Sequence, residues 1–125
     1  MDERFSRIES VERSHRMTLA CYKITNNFPK HELFGLASQI RRCSSSIPAN
    51  IAEGCGRMGN SEFHRFLQMA CGSANELEYH LLLARDLGYM GDGVYESAQS
   101  ELLDMKWMLV ALPVRSDQSE SSKFG

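Results

Sequence analysis

Several residues of this chain stand at spacings where side chains can cooperate in chemistry. Glu12 and His15 are three apart and Glu76 and His80 four apart, so within a helix each pair shares a face. A di-metal carboxylate centre in a helix bundle takes a Glu from each of two helices and a Glu-x-x-His from each of the other two. Only Glu12-Arg13-Ser14-His15 has that form, so one of the two required motifs is missing, and no metal or other cofactor is expected. Cys55 lies in a glycine-rich turn with Arg57 close by, a setting that can lower a thiol pKa, and His64 is the nearest histidine base. No further group orients that histidine. The plainer reading is an ordinary turn thiol, so no catalytic residue is assigned and the chain is not expected to be an enzyme. Arginines make a third set. Arg4, Arg7, Arg13 and Arg16 precede Met17, and Arg57 and Arg65 flank a later turn. Arg13, Arg16, Arg57 and Arg65 are the candidate contacts to nucleic-acid phosphates, although Glu9, Glu12, Glu53 and Glu62 lie among them.

These side chains need elements to hold them, and the hydrophobic pattern is helical throughout. The 125 residues suit one domain over 1–115, with 42% hydrophobic content and three prolines. The first helix is expected from about Ser10 to Asn26, on a stripe of Met17, Cys21, Ile24 and Phe28, with Phe28-Pro29 ending it. A second starts near Lys30 and carries Leu33, Leu36, Ala37, Ile40, Ile47 and Ile51 before the glycines of 54–59. Asn60 and Ser61 suit the cap of a third, whose stripe is Phe63, Phe66, Leu67, Ala70, Ala74, Leu77, Leu81 and Ala84, closed by Gly88. The fourth, capped by Asp92, shows Val94, Ala98, Leu102, Met105, Leu109 and Leu112, and Pro113 should stop it. The Ser-rich, charged residues 116–125 read as a disordered tail. The pattern predicts an all-α, antiparallel up-down-up-down four-helix bundle.

Charge and cysteine usage narrow the class further. With 14 Lys and Arg against 16 Asp and Glu, a net charge of −2 gives no global drive toward nucleic acid. The charged start MDERFSRIES has no apolar core of a signal peptide, and no run approaches the roughly 20 apolar residues of a membrane span. Cys21, Cys43, Cys55 and Cys71 form no CxxC pair. A cytoplasmic protein with reduced thiols is expected. Leu103, Trp107 and Val110 form a second apolar stripe on the fourth helix, which is read as a subunit interface because a small bundle buries one face of each helix.

The stretch from Gln39 to Arg57 holds an interior Pro48, which removes a helical hydrogen bond at a cost of roughly 3 kcal/mol. With the turn near 58–59, antiparallel partners on the second and third helices should have numbers summing to about 117. That ruler sets the small residues Cys43–Ser46 against Cys71–Ala74, with Cys43 and Cys71 near one another, Arg41 against Glu76 and Glu53 against His64. Arg41, Arg42, Glu76 and Glu78 are accordingly expected to form a structural ionic network between the helices. The serines beside Pro48 are expected to bond the carbonyl that proline leaves free.

The segment SQIRRCSSSIPANIAEGCGR, followed by EFHRFLQMACGSANELEYHLLLARDLGY, resembles the S23 or ribosomal-RNA intervening-sequence family. That family's pattern reads approximately Q-L-R-R-A-A-x-S-I-P-A-N-I-A-E-G-x-x-R, then S-x-x-E-x-E. Here it falls on Gln39, Arg41, Arg42, Ser46, Ile47, Pro48, Ala49, Asn50, Ile51, Ala52, Glu53, Gly54, Arg57, Ser73, Glu76 and Glu78. The resemblance covers about residues 15–112 and implies a four-helix bundle assembled as a homopentamer around a channel. Similar proteins include the basic, nucleic-acid-binding accessory protein of diversity-generating retroelements, from which this acidic chain departs in charge. The reading for this chain is a non-catalytic oligomeric scaffold with a protein partner, the alternative being RNA or DNA binding through arginines displayed on the oligomer.

Overall fold

The computed structural model describes residues 6–124, and of 113–124 the backbone only. Four helices follow one another: α1 (Arg7–Thr25), α2 (Leu36–Cys55), α3 (Asn60–Asp86) and α4 (Asp92–Phe124), with one 3-10 turn at Lys30–Glu32. There is no strand among the described residues. α2 packs on α3, α1 on α2, α3 on α4 and α4 back on α1, which is the closed square of an up-down-up-down bundle.

The expected stripes form the core. All eight apolar residues predicted for α3, from Phe63 to Ala84, are buried, as are Leu36, Ala37, Ile40, Ile47 and Ile51 of α2. On α4 the expected residues from Ala98 to Leu112 are buried, while Val94 is exposed. α1 is the most polar inside, burying Ser10, Ser14, Thr18 and Thr25 beside Met17 and Cys21. Ser14 and Thr25 donate to the carbonyl four residues back, at 2.7 and 2.8 Å, and Thr18 shares its one hydroxyl proton between Ser14 O at 3.1 Å and Ser44 O of α2 at 2.9 Å.

Helix boundaries correct the sequence reading in four places. α1 begins at Arg7 rather than near Ser10, because Ser6 and Glu9 form a capping box: Glu9 N–H donates to Ser6 Oγ at 3.0 Å and Ser6 N–H to Glu9 Oε1 at 2.9 Å. α2 begins at Leu36 rather than near Lys30, and Leu33 lies half-exposed ahead of it. Its cap comes from Glu32, whose Oε1 accepts from Leu36 N–H at 2.9 Å while Oε2 accepts from Tyr89 O–H at 2.8 Å. The Leu36 N–H, then the Tyr89 hydroxyl, hold the Glu32 carboxyl below the usual carboxylate range. α3 takes Gly59, not Asn60 or Ser61, as its N-cap. α4 runs on through Pro113 to Phe124, so the stop expected at that proline does not occur. A proline costs a helix one hydrogen bond, which the remaining ladder can carry. The tail expected over 116–125 falls where the backbone course alone is described, as helix to Phe124.

Gly88 ends α3 in the left-handed region, φ 81°. Its N–H bonds Arg85 O and Tyr89 N–H bonds Ala84 O, both at 2.9 Å, the paired bonds of a Schellman stop.

Candidate functional site

Pro48 organises the side of α2 that faces α1. Lacking an N–H, it leaves the Ser44 carbonyl without its helical donor. Thr18 of α1 fills that place, its Oγ1 donating to Ser44 O at 2.9 Å inside the bundle. The expected donors, the neighbouring serines, turn instead to carbonyls three residues back: Ser44 to Arg41, Ser45 to Arg42, Ser46 to Cys43. A side chain on the same helix as the proline bends back toward its own turn, whereas α1 lies directly across.

Arg41 of α2 also reaches across to α1. Its Nε donates to Thr25 Oγ1 at 2.8 Å and its Nη2 to Asn26 Oδ1 at 3.0 Å, with the guanidinium 5.0 Å from the centre of the Tyr22 ring. Arg42 donates to Gln39 Oε1 on its own helix. Glu76 pairs with His80 at 3.2 Å, and Glu78 with Lys106 of α4 at 2.6 Å and Gln99 at 3.2 Å. The Lys106 hydrogen bond is the main cause holding the Glu78 carboxyl below its usual range. The four-residue network expected from Arg41, Arg42, Glu76 and Glu78 is therefore replaced by separate pairs. A ruler of heights ignores direction, and 100° of rotation per residue points Arg41 at α1 and Glu78 at α4.

The predicted meeting of small residues does occur, since Ser46 Oγ hydrogen-bonds Ser73 Oγ between α2 and α3. Asn50 Nδ2 donates to Ser46 O at 2.8 Å. Lower down, a Cβ added to Gly54 would stand 3.0 Å from Phe63 Cδ1 and 3.1 Å from Phe66 Cβ, so the motif's glycine is what lets the helices close there. Glu53 is engaged with Arg57, four residues on in the turn that follows α2.

Cys43, Glu76 and His80 converge in the α2–α3 groove, one donor atom from each lying within 4.8 Å of the others. Cys43 is buried, Glu76 exposed and His80 between the two. Burial pushes the Cys43 thiol up to about 12, with the Glu76 charge adding to it. His80 Nδ1 is buried without a hydrogen-bond partner. Sequence reasoning paired Glu76 with His80 but missed Cys43, because the ruler set it opposite Ala74. The register seen at Ser46 and Ser73, two residues further on, brings Cys43 level with Glu76. Cys71 lies not near Cys43 but toward α4, where burial raises its thiol pKa against an opposing Lys106 charge.

The remaining candidates do not converge on chemistry. Glu12 and His15 are exposed on α1, which is diagonal to α3 and its Glu76 and His80. The Cys55 thiol is raised by desolvation despite nearby Arg7, the reverse of an activated nucleophile. Arg13 lies 3.7 Å from Asp104, Arg57 pairs with Glu53, and Arg65 with Glu62 at 3.0 Å. Arg57 and Arg65 both reach over the Phe66 ring, at 5.1 and 4.6 Å. Arg16 is exposed on α1. On α4, Leu103, Trp107 and Val110 are 41%, 74% and 60% exposed and with Lys106 line a shallow groove of about 270 Å³.

These features define a small all-α bundle with a proline-pinned second helix and an apolar outer face. The chain belongs to the 23S rRNA-intervening sequence protein family, which it matches over residues 6–111. It is similar to a crystallised protein of unknown function from the S23 ribosomal protein family of Bacteroides thetaiotaomicron, at 28% identity and a TM-score of 0.74. That match covers 82% of this chain and 95% of the other. Among curated proteins none matches. No helix among the described residues is long and apolar enough to cross a membrane.

Proposed function

We propose that the protein is a non-catalytic subunit of a ring-shaped homo-oligomer, an interaction scaffold whose subunits meet through the outer face of α4. The observation that carries this reading is Trp107, a large aromatic side chain 74% exposed between Leu103 and Val110. A second exposed apolar stripe lies on α1, where Ile8, Leu19 and Tyr22 recur at helical spacing. Tyr22 sits beneath Arg41 of α2, and Lys106 in the α4 groove bonds Glu78 of α3, so the two stripes border opposite sides of the bundle. Two different faces joined head to tail generate a ring when the rotation closes. Five copies is the number that the family resemblance implies. Nucleic-acid binding has less support, because Arg13, Arg57 and Arg65 each already face a carboxylate.

Light scattering on the eluting protein tests the assembly. The full chain should show five times the monomer mass, and Trp107→Glu or Leu19→Glu should each reduce it to one. Mixing the two variants should give a dimer, since each keeps one intact face. A monomeric wild-type chain, or a Trp107→Glu variant of unchanged mass, would sink the proposal.

A further inference from the structure

We infer that Cys43, Glu76 and His80 form a binding site for a zinc-class divalent transition-metal ion in the α2–α3 groove. The donor set is the first argument. A thiolate, an imidazole and a carboxylate together suit a borderline-soft ion such as Zn2+ rather than Mg2+ or Ca2+, which favour oxygen alone. The spacing is the second. Bonds of 2.0–2.3 Å in a tetrahedron set ligand atoms roughly 3.3–3.8 Å apart. The three donors already lie within 4.8 Å of one another, from residues on two helices fixed by the Ser46–Ser73 contact. The Glu76 and His80 donors already stand 3.2 Å apart, and the exposed Glu76 side chain can change rotamer without moving a backbone.

An unsatisfied atom is the third argument. The Nε2 of His80 faces Glu76 Oε2 at 3.2 Å, and Nδ1 is buried with no partner. Buried polar atoms are normally hydrogen-bonded, and one left without a partner calls for an explanation such as an ion. In the metal-free protein the Cys43 thiol donates to Ile40 O at 3.6 Å. Binding replaces that S–H bond by a metal–sulfur bond and releases the proton to solvent, while His80 gives a nitrogen lone pair and Glu76 a carboxylate oxygen. Three protein ligands leave a fourth position, open toward the exposed Glu76 side, for water. The ion would clip α2 to α3 beside the Ser46–Ser73 contact.

The test is titration of the full-length protein with Co2+, then with Zn2+ in competition. The wild-type chain should bind one equivalent of Co2+ with a sulfur-to-metal charge-transfer band, and Zn2+ should abolish the band. Cys43→Ser should lose the band, and His80→Asn should weaken binding by at least roughly 100-fold. Cys55→Ser and Cys71→Ser should leave both unchanged. Because Cys43 is buried, circular dichroism must confirm that its variant folds, and the better-exposed His80→Asn decides the matter if it does not. Absence of the band in the wild type, or equal Co2+ binding in the wild type and His80→Asn, overturns the site. Neither outcome bears on the ring, whose seams lie on α4 and α1.

Discussion

The two flanks of α2 carry polar groups of similar kind and treat them differently. On the α1 flank, Thr18 donates to the Ser44 carbonyl freed by Pro48, and Arg41 donates to Thr25 and Asn26. Those groups find their partners within the chain. On the α3 flank, Ser46 and Ser73 satisfy each other, but one turn away Cys43, Glu76 and His80 converge with His80 Nδ1 unpartnered. A polar group satisfied by its own fold specifies how helices sit together. A buried group left unsatisfied marks a place where something outside the chain can still add a bond. The comparison thus separates an architectural flank from one with spare binding capacity.

The largest effect expected from this contrast lies at Thr18. Thr18→Val keeps shape and removes the hydroxyl that donates to Ser44 O across the α1–α2 seam, so it should destabilise by about 1–3 kcal/mol. Pro48→Ala restores a backbone N–H at that same carbonyl. In the double variant the penalty of Thr18→Val should therefore shrink by half or more. Denaturant unfolding of the four proteins at one fixed concentration reads this directly, since self-association would otherwise shift the midpoints. Strict additivity would break the account of the α1 flank.

A smaller effect separates the two flanks from each other. Arg41→Ala should cost about 1 kcal/mol through its two hydrogen bonds to α1. Combined with Glu76→Ala it should be additive within about 0.5 kcal/mol, because the two residues share no partner. A coupling of 1 kcal/mol or more in that cycle would restore the cross-helix network that spacing alone suggests and erase the difference between the two flanks.

That network shows where sequence legibility ends. The α3 stripe from Phe63 to Ala84 and the glycine turn after Ile51 are local features, written at a 3.6-residue period and at residues with special backbone freedom. They could be read directly. Which helix a charged side chain addresses depends on rotation and register together. A two-residue error in register, 200° around the helix, moved Glu76 from Cys43 to Arg41. The Glu32 cap was hidden for another reason, since its second partner, Tyr89, lies 57 residues away. The Thr18 bond was half legible. Proline at 48 announces an orphaned carbonyl at 44, but nothing local says that the donor comes from α1.

The smallest effect should be on the α3 flank itself, and its smallness is the point. His80→Leu removes a ring whose Nδ1 has no partner and whose other nitrogen makes one pair with half-exposed Glu76. An exposed pair of that kind is worth about 0.3–0.5 kcal/mol, and the leucine recovers apolar contact against α2 while sparing the interior an unsatisfied nitrogen. The metal-free protein should therefore change by no more than about 0.5 kcal/mol in either direction, against 1–3 kcal/mol for Thr18→Val. Added Zn2+ should then raise the unfolding midpoint of the wild type and not of His80→Leu, because a ligand stabilises only the state that binds it. If His80→Leu in the absence of metal costs as much as Thr18→Val, His80 is holding the bundle together, and the two flanks differ in nothing but which partners were found for them.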